Sequence, residues 1–425
     1  MAKCIMSRLI LSSLVLGIVF TFCAPISSSI IDILRLIEER EKSEELQRNA
    51  ACMENTDPLL FVLDDATPRI LAVSEKPFSI AGTELRVDGV PTKTTKQQLL
   101  QGPPYAIEIK TALPLPEKKE WLLELLDGKK LPIACTRASR PPKNRAASPT
   151  TGVWSIRRSW NESWERLFSV WVATLFNRYR EGVKGWKPLH QVLHNKEFNL
   201  FYNYLGLGED NPENESHVQA IADCGDVPYQ LRAYFSWKLG LPFRFSHCTR
   251  GSARLGPKCR AESDNQSTAF DQIENPVERF NAFIHKSIAW RVHSGTMRTL
   301  PEDEDSDFYP IALKREAIRP GTVFVDVGGH VLVITRWDKT GLFAIDGHPD
   351  KTVTRKRFQE RYFPYAKGIT TGGFKAFRPV ELKNGEITPL ANNSRVPFFS
   401  TEQYDFKSRK SFYRRMERLT DNMAQ

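Results

Sequence analysis

The chain has 425 residues, of which 41% are hydrophobic and 26% are charged, and its formal net charge is +10. The length exceeds one ordinary hydrophobic core and predicts two or three domains in a folded, soluble protein; a single large domain is the alternative. No apolar run beyond residue 30 approaches membrane-spanning length, which excludes a multi-span membrane protein. The basic charge suits an anionic cell-envelope polymer, a membrane surface or nucleic acid; a generically basic surface is the alternative.

Residues 1–29 have the pattern of a signal peptide. Lys3 and Arg8 precede an apolar run over residues 9–23, which is too short to span a bilayer comfortably. Pro25 would hinder cleavage after Ala24, whereas the small residues 27–29 offer another site, and an uncleaved anchor is the alternative. We therefore expect a periplasmic or secreted protein whose partner is an envelope polymer or a membrane surface and not nucleic acid.

The rest of the chain divides into segments of different character. Residues 30–50 have apolar residues at helical spacing with interleaved charge and predict an amphipathic helix. Residues 51–137 contain the runs LLFVLDD, RILAVSE, TELRVDG and YAIEIKTAL, which predict a small β-rich domain. Residues 138–152 predict a linker, residues 153–385 a second domain that begins with helices, and residues 386–425 a basic tail that offers contact to an anionic membrane surface.

The cysteines beyond the signal are Cys52, Cys135, Cys224, Cys248 and Cys259, an odd number. Export permits disulfides, and Cys248 and Cys259 flank a short loop that a bridge would close. Cys52 and Cys135 bracket the β-rich segment and are the second candidate pair. Cys224 is then left without a partner.

Three groupings of ligand-type residues do not predict a metal site. His190 and His194 share a helix face but lack an acidic or cysteine companion. His247 lies beside two cysteines at irregular spacing, which favours a disulfide-stapled loop. The acidic run EDEDSD lacks the ordered spacing of a calcium loop. We expect neither a metal nor an organic cofactor.

The segment IADCGDVPYQLRAYFSWKLG places a cysteine at a helix start. Asp223 is a suitable N-cap, Pro228 fits only a first turn, and the helix should end near Gly240. The N–H groups and dipole of a helix start stabilise a thiolate beside them, and the same N–H groups are candidate donors to an oxyanion. Cys224 is therefore a candidate nucleophile; an inert buried cysteine is the alternative.

A thiolate needs a base, and His330 is the best-placed histidine. It opens the strand-like run VLVITRW after two glycines, and the next run, LFAID, ends in Asp346 after a turn. A hairpin would bring this carboxylate to the His330 ring, where it would fix the tautomer. His348 is the reserve for this third role, Gln219 and Asp223 are further oxyanion or substrate candidates, and a core histidine is the alternative for His330.

The order of a helix-start cysteine, the segment RPGTVFVDVGGHVLVI and a polar residue on the next strand resembles the NlpC/P60 and CHAP families of papain-like cell-wall peptidases. The resemblance covers about residues 215–350. It implies an α+β fold, in which a helix-borne nucleophile, Cys224, packs on an antiparallel sheet that carries the base His330 and the orienting residue Asp346. The chain departs from those families in its long insertion between Cys224 and His330 and in the residues around the cysteine.

The resemblance implies an exported cysteine peptidase or amidase acting on peptidoglycan peptides or a related envelope amide. Transglutaminase-like proteins use Cys, His and Asp in the same order, so an acyl-transfer enzyme is the first rival. The second rival is a non-catalytic envelope-binding protein on the same fold, whose function lies in the β-rich segment and the basic tail.

Overall fold

The structure is a computed structural model. It describes residues 57–64, 66–141, 149–177, 185–252, 255–367 and 371–421, together with Arg35, Leu36 and Glu39, which are helical. The predicted signal peptide, the rest of the predicted amphipathic helix and Cys52 lie outside the described residues. Glu54–Gln425 form one compact unit.

Two four-stranded antiparallel sheets occupy the first part of this unit. Their strands are β1 (Leu59–Asp64), β2 (Arg69–Ser74), β3 (Glu84–Val87), β4 (Val90–Thr92), β5 (Thr94–Leu100), β6 (Tyr105–Thr111), β7 (Glu120–Leu126) and β8 (Pro132–Ser139). The strand orders are β1-β2-β6-β5 and β4-β3-β7-β8. The four runs from which strands are predicted form β1, β2, β3 and β6, so these predictions are confirmed.

Strand β1 is buried on both faces because its residues alternate between two cores. Leu60 and Val62 face the core between the two sheets. Phe61 and Leu63 face the opposite way, into the main core, the cluster that also holds the aromatic residues of the following helices. The Phe61 ring meets the Trp164 ring edge-on, with centroids 5.7 Å apart. The β-rich segment therefore shares a hydrophobic core with the segment that follows it.

The middle of the chain is mainly helical. It contains α1 (Glu162–Leu175), β9 (Gly185–Trp186), α2 (His190–Leu193), α3 (Asp226–Leu239), β10 (Arg244–Cys248), β11 (Cys259–Asp264), α4 (Pro276–Phe283), the π-helical turn Ile284–Ile288 and α5 (Ala289–Arg291). Every residue of α3 is buried, so it is the central helix of the fold. It ends, as predicted, at Gly240, whose φ of 65° is the left-handed conformation that suits glycine.

The last part of the chain supplies most of a seven-stranded antiparallel sheet of order β12-β17-β13-β14-β15-β16-β9. The strands are β12 (Phe308–Pro310), β13 (Val323–Val325), β14 (Val331–Asp338), β15 (Gly341–Gly347), β16 (Val353–Arg357) and β17 (Gly373–Phe377), followed by the hairpin β18 (Val380–Lys383) and β19 (Glu386–Pro389) and by α6 (Arg409–Asp421). The fold class is α+β, as predicted, with antiparallel pairing between the described strands.

Both faces of the seven-stranded sheet are covered. Val331 and Val333 of β14 point into the main core. Leu332 and Ile334 point into an outer core, which also contains Phe412 of α6. The segment predicted as a tail thus includes a helix whose apolar face is part of the fold. Among the described residues, no helix is long and apolar enough to cross a membrane.

Candidate active site

Cys224 lies in the turn that leads into α3. The regular helix begins at Asp226, and Asp223, the predicted N-cap, lies three residues before it. The Asp223 carboxylate nevertheless accepts hydrogen bonds from the N–H groups of Gly225 at 2.9 Å and Asp226 at 3.3 Å. It reaches across the turn because Cys224 and Gly225 are inserted between the acid and the helix. Cys224 itself is half-buried and forms no disulfide.

Because of bonds to Asp223, fewer backbone N–H groups at the helix start remain to bind an oxyanion. The N–H groups of Gly225, Asp226 and Val227 all donate to Asp223, through its carboxylate or its carbonyl oxygen. The prediction that helix-start N–H groups are available for an oxyanion is therefore wrong for these three groups. The Cys224 N–H, by contrast, donates to none of the residues that the structure describes. It is the donor that lies next to the sulfur.

Two glycines allow the Cys224 turn to pack closely against its neighbours. A Cβ on Gly225 would lie 2.8 Å from the Ser294 backbone nitrogen. A Cβ on Gly347, at the end of β15, would lie 2.6 Å from the Asp223 carbonyl carbon. Both distances are shorter than side-chain carbons adopt, so any other residue would push the turn away from the sheet.

His330 and Asp346 meet across the β14–β15 hairpin. His330 directly precedes β14, and its Nε2 lies 2.9 Å from Asp346 Oδ2. Asp346 is 1% exposed and lies one residue before the end of β15. The Cys224 thiol lies on the same side, close enough to raise the pKa of His330. The structure thus brings together the three residues predicted as a triad.

The electrostatics of the pair favour a charged histidine and an ionised aspartate. The pKa of His330 is raised to about 9, first by its hydrogen bond to Asp346 and then by the nearby Cys224, against the opposing effect of burial. For Asp346, burial acts to raise the pKa. Hydrogen bonds from His330 and Thr354 and the charge of Lys356 outweigh that burial, so the pKa of Asp346 is lowered.

The second oxygen of Asp346 is also held. Thr354 Oγ1 donates to Asp346 Oδ1 at 2.5 Å, and Lys356 Nζ lies 3.3 Å from Oδ2. His348, the reserve candidate, has its Nε2 3.2 Å from Oδ1 and 3.0 Å from Thr354 Oγ1, while its ring centroid is 6.1 Å from that of His330. Asp346, and not His348, therefore contacts the ring of the candidate base.

Sequence reasoning missed Thr354 and Lys356. Both lie on β16, where Thr354 is paired directly with Asp346. The sequence does contain a sign of both residues. In the run VTRKR, which follows the DGHPD turn, Thr354 and Lys356 are two residues apart and would share one face of a strand. Polar residues at alternate positions, in a run next to the predicted strand of Asp346, would have identified both side chains as candidates for contact with Asp346.

Gln219 is not brought to the triad. Its side chain is exposed, and its backbone N–H donates to Asn281 Oδ1 at 2.9 Å. Among the described residues, no hydrogen bond joins the Gln219 amide to Cys224, His330 or Asp346. The structure thus gives no support to Gln219 as a second oxyanion donor.

The other cysteines are engaged. Cys248 and Cys259 form a disulfide at the point where β10 pairs with β11, as predicted. Cys135 is disulfide-bonded, and Cys52, its predicted partner, lies outside the described residues. His293 Nε2 lies 2.8 Å from the Cys248 carbonyl oxygen, so the disulfide hairpin adjoins the segment that contacts Gly225.

A cluster of histidines lies along the segment that leads to Cys224. The His194 ring is 5.0 Å from that of His190 and 5.2 Å from that of His217, measured between centroids. His194 Nε2 donates to the Val218 carbonyl oxygen at 2.8 Å, and His190 Nδ1 is buried without a hydrogen-bond partner. Within the described ranges, no three His, Cys, Asp or Glu side chains are arranged to hold a metal ion.

Comparison with known proteins adds no relative from which a role could be transferred. No protein-family model, no curated protein and no solved structure matches this chain. The chemical interpretation of the site therefore rests on its own geometry.

Proposed function

We propose that the chain is a cysteine-dependent amide hydrolase with Cys224 as nucleophile, His330 as base and Asp346 as the residue that orients His330. The observation that supports this most strongly is the 2.9 Å hydrogen bond from the His330 ring to a buried, ionised Asp346, with the Cys224 thiol close enough to raise the pKa of His330. A solitary core histidine would need neither a thiol nor a carboxylate partner. The arrangement has the nucleophile, base and orienter order of an activated thiol.

In the proposed reaction the charged His330 ring already holds the proton of the Cys224 thiol, and the thiolate sulfur attacks the substrate carbonyl carbon. The carbonyl oxygen becomes an oxyanion, to which the Cys224 N–H is the available backbone donor. Collapse breaks the C–N bond, and His330 returns the proton to the departing amine, which leaves a thioester on Cys224. Water activated by His330 then hydrolyses the thioester, releases the acid and restores the thiol.

Asp346 has two roles in the proposed reaction: it orients the His330 ring and stabilises its charge. Its bond to Nε2 fixes the ring so that Nδ1 is the nitrogen left for proton exchange with Cys224. Its negative charge stabilises the imidazolium, in line with the raised pKa of His330. Thr354 and Lys356 hold the carboxylate in place and thus act on His330 through Asp346.

The resemblance to papain-like cell-wall peptidases supports a peptidoglycan peptide, or a related envelope amide, as the substrate. The net charge of +10 supports an anionic envelope polymer as the surface on which the enzyme works. The sequence pattern of residues 1–29 supports export to the periplasm or the medium. We also propose that the catalytic domain has the papain-like arrangement, in which the helix that follows Cys224 packs on the antiparallel sheet that carries His330 and Asp346.

One observation favours acyl transfer as a second candidate. Asp346, and not His348, lies against His330 Nε2, and aspartate is the third residue that transglutaminase-like proteins use in this order. In that case an amine, rather than water, would attack the thioester and form a new amide. Both candidates share the first half of the reaction.

Incubation of the purified chain with envelope peptides, with and without a primary amine, separates the candidates by the mass of the products. We expect a free acid from hydrolysis; a new amide that replaces it when amine is present would establish transfer. Cys224→Ala and His330→Gln should abolish both products, whereas His247→Gln, a histidine bonded to Ser263 on the β10–β11 hairpin, should not. Product from Cys224→Ala at the wild-type rate would refute the role of Cys224, and the absence of product from the wild type would favour a non-catalytic binding role.

A further inference from the structure

The candidate active site has one backbone donor for an oxyanion, the Cys224 N–H. The three N–H groups that follow it all donate to Asp223. The Gln219 side chain is exposed and forms no hydrogen bond with the triad within the described ranges. Enzymes stabilise an oxyanion with preorganised donors, which are either backbone N–H groups or side chains. A second donor is therefore to be sought among the side chains that pack against the Cys224 turn.

The 3₁₀ turn that begins at Ser294 packs against both halves of the site. A Cβ on Gly225, the residue after Cys224, would lie 2.8 Å from the Ser294 backbone nitrogen. A Cβ on Gly329, the residue before His330, would lie 3.5 Å from Ser294 Oγ. Ser294 thus lies between the turn of the nucleophile and the start of the strand that follows the base.

The Ser294 hydroxyl faces an open space. Its Oγ is the one atom of the described residues within 4 Å of the Cβ position of Gly329, so the rest of that position is empty. The Ser294 side chain is half-buried, and its hydroxyl forms no hydrogen bond with any part of the chain that the structure describes. The neighbouring His293, by contrast, has its Nε2 2.8 Å from the Cys248 carbonyl oxygen. Ser294 therefore has a hydroxyl that is free to donate to a bound molecule.

Other residues hold the 3₁₀ turn together. The Thr296 N–H donates to the His293 carbonyl oxygen at 2.8 Å, and the Arg298 N–H donates to the Gly295 carbonyl oxygen at 2.9 Å. Thr296 Oγ1 accepts a hydrogen bond from the His293 N–H at 3.3 Å. The Ser294 hydroxyl takes part in none of these bonds, so its removal should leave the turn intact.

We propose that the Ser294 hydroxyl donates a hydrogen bond to the oxyanion that forms when Cys224 attacks a carbonyl. Together with the Cys224 N–H it would give the oxyanion two donors. The proposal adds a residue to the proposed hydrolysis and rests on Cys224 being the nucleophile. A hydroxyl can rotate to meet the oxygen that becomes charged, and such a donor stabilises the transition state more than the bound substrate. Ser294 would thus touch the reacting oxygen, whereas Thr354 acts through Asp346.

Two reagents that react with the same sulfur separate an oxyanion donor from a structural residue. p-Nitrophenyl acetate transfers its acetyl group to the Cys224 sulfur through a tetrahedral oxyanion and releases p-nitrophenolate. Iodoacetamide alkylates the same sulfur by displacement of iodide, and no oxyanion forms. Loss of an oxyanion donor should therefore slow acetylation and not alkylation. Both reactions are followed in the full chain by mass spectrometry of the peptide that contains Cys224.

We expect Ser294→Ala to slow the acetylation of Cys224 at least about tenfold, while alkylation stays within about twofold of the wild-type rate. The thermal midpoint should be unchanged, because the 3₁₀ turn does not use this hydroxyl. Ser294→Thr keeps a hydroxyl and should restore most of the acetylation rate. The matched control is Ser263→Ala, which removes a hydroxyl bonded to His247 on the disulfide hairpin and should change neither rate.

Three results would overturn the proposal. They are acetylation of Ser294→Ala at the wild-type rate, equal slowing of acetylation and alkylation, and no recovery in Ser294→Thr. Acetylation that depends on Ser294 in a wild type that cleaves no envelope peptide would leave this assignment standing and refute the amide hydrolase. Cleavage by the wild type together with normal acetylation of Ser294→Ala would refute this assignment alone. A wild-type Cys224 that the ester does not acetylate would refute both.

Discussion

His330 connects the candidate site, because its ring is hydrogen-bonded to Asp346 and its pKa is raised by both Asp346 and Cys224. Its pKa, raised to about 9, exceeds the usual value of 6.5 by the effects of Asp346 and then of Cys224. The raised value means that the proton on His330 stabilises the folded state. This contribution is complete below about pH 6.5 and is lost as the pH rises through about 9.

We predict that an NMR titration of the His330 ring gives a pKa of about 9 in the wild type. Asp346→Asn should lower this pKa most, since it removes the larger cause, and Cys224→Ala should lower it less. The His247 ring, whose pKa is lowered by burial, is an internal control that neither substitution should move. A His330 pKa that is unchanged in both variants would contradict the assigned contacts.

Thr354 is a positioning residue, since it acts on His330 through Asp346. Thr354→Val keeps the shape of the side chain but removes the 2.5 Å hydrogen bond to Oδ1. A hydrogen bond to a charged group contributes about 1.5–3 kcal/mol, so we expect kcat to fall at least about tenfold with little change in KM. The alkaline limb of the pH profile should also shift to lower pH.

The matched control is Thr352→Val on the same hairpin. Thr352 Oγ1 donates to Asp350 at 2.8 Å on the surface and has no contact with Asp346. Equal losses of kcat in the two variants would mean that hairpin stability, and not the orientation of Asp346, accounts for the effect.

The sequence identifies Cys224, His330 and Asp346 because each stands at a local signal: a helix start, a strand start and a strand end. It does not identify the state of the N–H groups beside Cys224. Asp223 is recognisable as a capping residue, but a carboxylate that reaches across two residues and occupies several donors depends on backbone geometry. The position of Gln219 could not be predicted for the same reason. Its backbone N–H bonds the side chain of Asn281, which lies far along the chain, and this contact helps to orient the loop.

At the scale of elements, the extended segment that precedes the Cys224 turn is held by histidines. His194 Nε2 donates to the Val218 carbonyl oxygen and the His190 backbone N–H donates to the Ala220 carbonyl oxygen, while the Gln219 backbone acts to raise the pKa of His285. Burial lowers the pKa of all three, and neighbouring histidine rings lower that of His190 to about 4. The positive charge of Lys238 also lowers the pKa of His194, and that of Lys351 lowers the pKa of His285, so both charges oppose protonation.

We predict that acid weakens this part of the fold. A buried neutral histidine contributes stability above its unfolded pKa of about 6.5, and that stability is lost as the pH falls through about 4. His190→Leu should reduce the difference in free energy of unfolding between pH 7 and pH 4.5, as measured with urea. His348→Gln, outside the cluster, should retain the wild-type difference, and an equal difference in all three proteins would refute the assignment.

A buried charge cluster connects α3 to the loop before it. Lys238, Glu209 and Asp210 are all 0% exposed, and Lys238 Nζ contacts both carboxylates, Asp210 Oδ2 at 2.6 Å. Burial, ahead of the effect of Glu209, raises the pKa of Asp210 to about 6. The lysine is what makes two buried acids tolerable.

Lys238→Met should therefore reduce the free energy of unfolding by about 3–5 kcal/mol at pH 7. The combined variant Lys238→Met, Glu209→Gln and Asp210→Asn should be more stable than the single one, because it leaves no uncompensated charge. Urea denaturation measures both. A single variant within about 1 kcal/mol of wild type would show that the cluster is hydrated in solution.

Local sequence patterns predicted many of the strands and the helix α3, but not how the seven-stranded sheet is assembled. β13, β14 and β15 follow one another as hairpins, which alternation and turn residues indicate. β17 pairs with both β12 and β13. β9, which lies much earlier in the chain, pairs with β16 at the opposite edge of the sheet. Such long-range pairings depend on the burial of both sheet faces, for which no short stretch of sequence is diagnostic.

In the whole molecule, segments that are separated along the sequence pack into a common core. The residues 138–152 separate a β-rich segment from a helical one along the chain. Yet Phe61 of β1 lies in the same core as Phe201 and Phe235, and Glu54–Gln425 form one compact unit. The cavity lined by Glu75, Arg166 and Phe398 lies where these segments meet, so both contribute to its walls.

The central claim is that Cys224 is an activated nucleophile paired with His330. Iodoacetamide labelling of the folded chain at pH 7, read by mass spectrometry and by amide cleavage, tests it most directly. Among the cysteines beyond residue 29, we predict modification of Cys224 alone, with cleavage lost in proportion to labelling of Cys224 and with slower labelling in His330→Gln. A Cys224 that reacts only after unfolding in urea, or that is modified without loss of cleavage, would contradict it.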